Sequence, residues 1–395
     1  MRGDFVTVQR KTRIFYNQRF FDYPLKPINA LTNLGIKDSL LVLLSYIRAK
    51  WGKRKTLLSF EDWVSRHFGR KLYEIFFKVY TEKVWGISCD QIDADWASQR
   101  IQGLTLSKAL RNAILPSGNK PKTLVDSFLY PISGNQLFYN RQAEFLRQNG
   151  VEIITSKRVS SIRLEGNQVL GVVTENGEEI NARHVISTMP LTNLILGIQS
   201  TPETVTQAAR QLRFRNTILV YLNVEGDNLF PDQWLYIHDP SVKHGRITNF
   251  NNWSPDTRPK DGSSILCLEF WCFSEDEFWN YNDEDLIDLA TKELRAINLV
   301  PILKVKSGHV TRLPKSYPVY EKGYKEKLNV VTSWLSNIDG LTPIGRYGSF
   351  KYNNQDHSIL MGLEVANQLD SGTKPDVWDI NTDSEYQESG DAYPA

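Results

Sequence analysis

The sequence lacks the short motifs by which nucleotide-binding and metal-binding proteins are usually recognised. It contains no GxGxxG and no GxxxxGK[ST], so no phosphate-binding turn can be assigned from a motif. Its six histidines form no HxxxH or HxH pair, and Cys267 and Cys272, five residues apart in a β-rich run, would face opposite sides of a strand. The sequence therefore predicts no metal site.

The chain also lacks a disulfide framework, a signal peptide and an excess of one charge. Three cysteines in 395 residues are typical of reduced, buried thiols in the cytoplasm. The first ten residues, MRGDFVTVQR, contain no apolar segment of the kind that signal peptides need. A net charge of +2 argues against a nucleic-acid partner, which requires a concentrated basic face. We expect a cytoplasmic protein.

Long apolar runs are absent too. The longest, Leu40 to Leu44, is far too short to span a membrane and is soon followed by the cations Arg48, Lys50, Lys53, Arg54 and Lys55. One interpretation is a helix that lies on a membrane surface. The favoured interpretation is a core helix with a solvated basic end, which suits the helix dipole.

What is present indicates a two-domain chain with an interrupted order. The patterns predict a mostly helical region over 1–130, α/β segments over 131–215 and 326–370, an antiparallel aromatic-rich domain over 216–325, and an acidic tail over 371–395. The predicted strands of the first α/β segment are VEIITS, VSSIRL, VLGVVT and EEINARHVIS. The fold class is α/β with an α+β second domain.

Two stretches of the α/β segments have the character of a ligand site. HVISTMP is a short apolar strand that ends in small residues, as strands do at the carboxyl edge of a parallel sheet. IGRYGSFKYNNQDHSILMGL, residues 344–363, passes from glycines and polar residues into a helix, where free N–H groups can meet a cofactor. The alternative is an ordinary helix cap made by Asp356 or Ser358.

Five separated segments resemble a bacterial family of flavoproteins among the amine-oxidase-like and protoporphyrinogen-oxidase-like FAD enzymes, related to UDP-galactopyranose mutase. These segments, in order along nearly the whole chain, are FFDYPLKP (20–27), YTEKVWGISCDQIDADWASQRI (80–101), GRITNFNNWSP (245–255), PKSYPVY (314–320) and GRYGSFKYNNQDHS (345–358). The resemblance implies a Rossmann-like FAD-binding domain made of 131–215 and 326–370, and FAD as the cofactor.

The chain departs from this family at its beginning. The family starts with a strand, a GxGxxG turn and a helix, whereas Met1 corresponds to a position downstream of them. We expect an amino-terminal truncation on the order of 60–80 residues, the length of two βαβ units, and therefore weak or absent FAD binding and low stability.

By the same resemblance, particular residues are assigned to the cofactor. Gly345 and Arg346 would approach the flavin, and the turn at Asn354, Gln355 and Asp356 would meet its ring edge or ribityl chain. Thr188, Met189 and Pro190 would pass beneath it, and Val159 would meet the adenine end.

The resemblance also assigns residues to the substrate, namely Trp85, Arg100, Arg246, Tyr317 and Tyr352. In the mutases such arginines hold a nucleotide diphosphate, but the arginine expected four residues after Arg100 is Leu104. Packing in the core is an open alternative for Trp85 and Tyr317.

Three functions follow as hypotheses. The first is an FAD-dependent oxidoreductase that moves a hydride from a small molecule to flavin N5, with no catalytic side chain assigned. The second is a flavin-dependent sugar-nucleotide mutase. The third is a non-catalytic remnant or a partner of a separate FAD fragment. Assembly into a homo-oligomer is left open.

Overall fold

The computed structural model describes residues 4–51, 56–94, 96 and 127–380, which fall into two compact units. Of the described residues, the first unit contains those up to Glu152 together with Asn216–Pro314. The second contains Ile153–Arg215 and the residues from Lys315 onward. Each unit is therefore built from two separate pieces of chain.

Both units combine strands and helices. The strands are β1 (Phe5–Gln9), β2 (Thr12–Tyr16), β3 (Arg19–Asp22), β4 (Ser127–Pro131), β5 (Val159–Glu165), β6 (Gln168–Thr174), β7 (Glu179–Asn181), β8 (Val185–Ser187), β9 (Phe214–Glu225), β10 (Trp234–Ile237), β11 (Arg246–Asn249), β12 (Ser263–Cys272), β13 (Val305–Pro318) and β14 (Leu341–Pro343). The helices are α1 (Pro27–Leu34), α2 (Ile36–Trp51), α3 (Phe60–Phe68), α4 (Arg70–Tyr73), α5 (Val79–Trp85), α6 (Asn135–Gln148), α7 (Leu191–Leu196), α8 (Glu203–Arg210), α9 (Asp283–Ala296), α10 (Tyr324–Leu335), α11 (Gly345–Gly348) and α12 (Gln355–Asp370).

A sheet with the strand order β13-β9-β12-β11-β10-β2-β3 organises the first unit. Its pairs from β9 to β10 and from β2 to β3 are antiparallel, and β10 pairs with β2 in parallel. The apolar residues of β9 and β12 alternate with their neighbours and meet Leu286, Ala290 and Leu294 of α9 in a buried cluster. Helix α9 begins at Asn282, whose side chain accepts a hydrogen bond from the Asp285 N–H.

The second unit contains a three-stranded antiparallel sheet, β5-β6-β7, and a parallel pair, β8 and β14. Leu191, Leu194 and Ile195 of α7 are fully buried. Helix α12 contributes Met361 and Val365 to a second buried cluster. The α/β class predicted for this part of the chain is confirmed, and so is the parallel pairing of the HVIS strand.

Some local predictions were wrong. The segment 151–155 (VEIIT) pairs with no strand among the described residues, and Val151 and Ile154 are exposed, so its apolar composition has no ladder to join. Strands β1, β2 and β3 were not predicted within the helical region, although Asn17 and Gln18, both with positive φ, form the turn of the β2–β3 hairpin.

The prediction that the apolar run near Leu40 forms a core helix was also wrong. In α2 only Val42 is buried, whereas Leu40, Leu41 and Leu44 are all exposed. Hydrophobic periodicity predicts that the segment is a helix with an apolar face, but it does not predict which other segment covers that face. In that part of the chain, no helix is long and apolar enough to cross a membrane. The predicted acidic end of the chain, from 381 onward, lies outside the described residues.

Candidate cofactor site

The carboxyl ends of the parallel strands β8 and β14 lie side by side. Their register pairs Leu341 with Val185 and Pro343 with Ser187, and the Ile344 N–H donates to the Ser187 carbonyl over 2.9 Å. The chain after β8 runs through Thr188–Pro190, and the chain after β14 enters α11 at Gly345. The two predicted segments of the cofactor site therefore meet at one sheet edge, where ligands bind in open α/β folds.

Two glycines of α11 shape this edge. A Cβ added to Gly348 would lie 2.7 Å from the Ser187 carbonyl oxygen, so only glycine allows α11 to pack so closely on the end of β8. Gly345 has φ of +77°, and a Cβ built there would have no atom within 4 Å. The backbone of Gly345 thus borders open space that a ligand could approach.

Helix α12 begins beside α11 with a complete cap. The Asn354 side chain accepts from the His357 N–H, and the Asn354 N–H donates to His357 Nδ1 over 3.2 Å. The cap residue is therefore Asn354, rather than Asp356 or Ser358. Gln355 and Asp356 occupy the first turn, and the Asp356 side chain is mostly exposed. A capped first turn keeps the positive end of the helix dipole at this position.

Arg346 lies against two adjacent tyrosine rings. Its guanidinium carbon is 4.5 Å from the ring centre of Tyr317 and 4.3 Å from that of Tyr352, and the two ring centres are 5.5 Å apart. Nε donates to the Ser316 carbonyl over 2.9 Å and Nη1 to the Asn353 carbonyl over 2.8 Å. The arginine thus ties β13 to the segment before α12, with its charge against two aromatic faces.

Two buried polar atoms at this edge have no hydrogen-bond partner among the described residues, namely Ser187 Oγ and His357 Nε2. His357 Nδ1 lies 3.2 Å from the Asn354 nitrogen and 3.2 Å from Asp356 Oδ1, so Nε2 is the nitrogen of this ring that has no partner among the described residues. A buried group without a partner costs about 1–3 kcal/mol. Such groups fit a polar ligand that supplies the partners.

Lys315 and Ser187 were not predicted as site residues. Lys315 Nζ donates to Thr192 Oγ1 over 2.8 Å and to Asn193 Oδ1, at the start of α7, and burial lowers its pKa. It therefore holds β13 close to the segment after Pro190. Both residues lie in stretches that the sequence singled out, PKSYPVY and HVISTMP, but only the structure shows their surroundings.

Val159, predicted to meet adenine, opens β5 and pairs with Thr174 in the antiparallel sheet of the second unit. It is not part of the edge formed by β8 and β14. An open cleft of about 390 Å³ lies beside it, lined by Ser156, Lys157, Arg158, Thr174, Glu175 and Asn176.

The other predicted substrate residues that the structure describes, Trp85 and Arg246, belong to the first unit. Trp85 is 3% exposed in the first unit, and its ring packs edge-on against Trp96 at 4.7 Å, as the core-packing alternative requires. Arg246, also in the first unit, forms a two-pronged ion pair with Glu269 on the neighbouring strand β12. Arg100 and Leu104 lie outside the described residues.

The cysteines offer no second centre. Cys89, Cys267 and Cys272 are free and buried. Burial raises the pKa of Cys89 to about 12 and that of Cys267 well above its usual value, so both thiols are protonated at neutral pH. Within the described residues, no cluster of histidine, cysteine, aspartate or glutamate could hold a metal ion.

The fold defines the class. Its mixture of helices and sheets matches the folds of FAD-dependent oxidoreductases. Residues 53–327 match the family described as flavin containing amine oxidoreductase, and since this match covers more than half of the chain, the protein belongs to that family. Its cofactor is FAD. The flavoprotein resemblance of the five segments is confirmed.

Solved structures agree with this assignment of the fold. A reduced UDP-galactopyranose mutase has a TM-score of 0.79 and 23% identity, covering 94% of this chain and 80% of its own. A candidate protoporphyrinogen oxidase from Exiguobacterium sp. 255-15 has a TM-score of 0.65 and 15% identity, with coverage of 87% and 77%. A redesigned putrescine oxidase has a TM-score of 0.58 and 12% identity, with coverage of 93% and 83%.

Proposed function

We propose that this protein is an FAD-dependent oxidoreductase acting on a small organic molecule, with the flavin ring at the edge formed by the ends of β8 and β14. The observation that carries the proposal is the gathering of three features at that edge. Gly345 borders open space, and Ser187 Oγ and His357 Nε2 are buried without partners among the described residues. FAD, when bound, supplies an acceptor at N5 for a hydride that leaves the substrate.

In this proposal the residues of the edge bind and orient the ring. The Gly345 backbone allows close approach because it carries no side chain. The Ser187 hydroxyl can donate or accept a hydrogen bond, and a neutral imidazole nitrogen such as His357 Nε2 can also form one with the ring. The first turn of α12 adds positive potential, which favours the negative charge that a flavin gains on reduction. Thr188, Met189 and Pro190 would line the same edge.

Arg346 is proposed as a positioning residue. Two of its donors are used by the carbonyls of Ser316 and Asn353, so it acts by holding Tyr317 and Tyr352 in place. Their adjacent rings form an aromatic wall with a fixed cation against both of them. We propose that the wall borders the substrate, for which flat aromatic faces supply apolar contact at little entropic cost.

A pair of glycine variants tests the location of the ring. Gly345→Ala would project a methyl group into the open space, and we expect FAD affinity to fall by about 5- to 150-fold, the effect of a clash of about 1–3 kcal/mol. Gly372→Ala is the matched control, because Gly372 also has a positive φ, of +72°, and no atom near its Cβ position. Both variants should lose similar stability through backbone strain.

Affinity is measured by quenching of flavin fluorescence, and stability by urea unfolding. Loss of FAD binding in the Gly345 variant alone supports the proposed location. Equal affinity in both variants and the parent would place the ring elsewhere.

A sugar-nucleotide mutase is the second candidate, favoured by the structural likeness to a reduced UDP-galactopyranose mutase. Its arginine clamp is weakly supported, because Arg246 is neutralised by Glu269 within the first unit. An assay separates the two candidate functions. The protein is loaded with FAD, reduced with dithionite and mixed with a UDP-hexopyranose, and the oxidised FAD form is mixed in parallel with a panel of amines. Ring-contracted product would establish the mutase, whereas bleaching of oxidised FAD by an amine panel would establish the oxidase. A chain that binds no FAD would support the non-catalytic hypothesis.

We further propose a cytoplasmic location and a small-molecule substrate. The three free, buried thiols support the first, since such thiols are kept reduced in that compartment.

A further inference from the structure

Helix α2 exposes a continuous apolar stripe. Five large side chains are exposed along one line of the helix: Ile36 (83%), Leu40 (56%), Leu44 (63%), Ile47 (46%) and Trp51 (88%). At 3.6 residues per turn they fall within an arc of about 80°. The stripe runs the full length of α2, from its first residue to its last.

The opposite face of α2 is fixed to the first unit. Val42 is 1% exposed, and Ser45 Oγ accepts from the Lys71 N–H over 3.0 Å. Arg66 donates to the Ala49 carbonyl, and a Cβ on Gly69 would lie 2.7 Å from the Tyr46 nitrogen. These contacts set the rotation of the helix about its axis. The stripe is thus presented outward by a rigid support.

Cations border the stripe on both sides. By the helical repeat, Lys37 and Arg48 project along one side of the stripe and Lys50 along the other. In the described part of the chain none of the three makes an ion pair, whereas Asp38 lies 3.4 Å from Lys71. Between Asp38 and Glu61 the sequence contains no acidic residue, and Lys53, Arg54 and Lys55 follow α2 directly.

We propose that α2 docks in the plane of a membrane surface that contains anionic lipid. Its apolar stripe would enter the boundary between headgroups and acyl chains, and the bordering cations would meet lipid phosphates. Trp51 at the helix end is the residue type that favours this depth. Sixteen residues suffice to lie on a bilayer and are too few to cross one.

The charges beside the stripe disfavour a second copy of the chain as its binding partner. If two copies paired through this stripe, cationic borders would face each other with no acidic residue of α2 beside the stripe to offset them, because Asp38 is directed to Lys71. An anionic surface gains from the same borders. The stripe therefore fits lipid better than itself.

Vesicle co-sedimentation of the full chain tests the proposal. With vesicles of equal parts phosphatidylcholine and phosphatidylglycerol we expect binding, and with phosphatidylcholine alone we expect much weaker binding. Arg48→Gln with Lys50→Gln should weaken binding roughly 25-fold, because each surface cation contributes roughly fivefold. Arg147→Gln with Lys322→Gln, two exposed cations elsewhere, should change little.

The apolar part is tested by Leu40→Ser with Leu44→Ser. These side chains are already exposed, so folding should be preserved, and binding to the anionic vesicles should be lost. Leu363→Ser, another exposed leucine (59%) on α12, is the control. Two outcomes overturn the proposal: no binding of the parent chain to the anionic vesicles, or a dimer in solution that the Leu40/Leu44 variant converts to monomer without vesicle binding by the parent.

Discussion

At the scale of single residues, the first unit buries several ionisable side chains near β10. His238 stacks on the ring of Tyr80 with centres 4.9 Å apart, and its Nδ1 has no partner among the described residues. Lys83 donates to the carbonyls of Ile237, Asp239 and His244. Burial lowers the pKa of His238 to about 3 and that of Lys83 to about 8. These groups make stability depend on pH.

His238 should make the protein sensitive to acid. Its pKa is about 3 in the folded protein, against an ordinary value of 6.5. Between pH 3 and pH 6.5, therefore, only the unfolded chain binds a proton at this residue. The free energy of unfolding is therefore unaffected by this group above pH 6.5. It falls as the pH drops toward 3, by about 1.4 kcal/mol per pH unit at most. Buried His244, whose pKa is also lowered by burial, acts in the same direction.

The measurement is urea unfolding of the parent and of His238→Gln between pH 7 and pH 4. The variant starts less stable because it loses the stacking on Tyr80, but its stability should fall less steeply with acid. His309→Gln, an exposed histidine, should keep the slope of the parent. Equal slopes in all three proteins would show that His238 is not the acid-sensitive group.

The sequence resemblance names residues for the proposed site, but it does not predict the contacts that they make. Gly345 could be anticipated because a glycine before a helix tolerates the conformation it adopts. The ion pair of Arg246 could not be anticipated, because its partner Glu269 faces it only through the pairing register of β11 and β12. The same holds for Lys315, whose partners lie at the start of α7. Long-range pairing is what the local pattern does not contain.

At the scale of elements, the contact between α11 and β8 sets the geometry of the proposed site. The Gly348 backbone lies against Ser187, and the Ile344 N–H binds the Ser187 carbonyl. Helix α12 follows within a few residues, and its Met361 and Val365 pack with Ile344. A side chain at 348 would therefore push α11 away from the end of β8.

Gly348→Ala should destabilise the protein by about 1–3 kcal/mol, the usual cost of overpacking. Gly362→Ala is the matched control, since a Cβ there has open space within α12 and should stabilise the helix by up to about 1 kcal/mol. Urea unfolding gives both values. Hydrogen exchange at the Ile344 amide should quicken only in the Gly348 variant. Unchanged exchange and stability there would mean that the contact does not hold the edge together.

Element types followed the sequence pattern where periodicity and turn chemistry agreed. The runs VSSIRL and VLGVVT form β5 and β6 as predicted, and the two strands flank a turn at Gly166. The run 151–155 shows the limit, since apolar residues make a strand only when a neighbour offers a ladder. The exposed stripe of α2 shows the same limit for helices, because amphipathicity does not identify the covering surface.

At the scale of the whole molecule, the family assignment and the site are supported by different facts. Family membership comes from the match over 275 residues, 53–327, and from the fold. The proposed ring position comes from the second unit, where the chain segments that hold the predicted cofactor residues 188–190 and 345–346 follow two paired parallel strands. The sequence resemblance was enough to place these two segments along the chain. Their meeting at one edge required the parallel pairing of β8 and β14.

A titration of the purified chain with FAD tests the central claim most directly. Flavin fluorescence and the visible absorption band report how much FAD is bound and whether its ring has left water. The proposed function predicts saturation near one FAD per chain, with quenched fluorescence and a shifted visible band. Unquenched fluorescence and an unshifted band, up to FAD concentrations well above those of the protein, would contradict it.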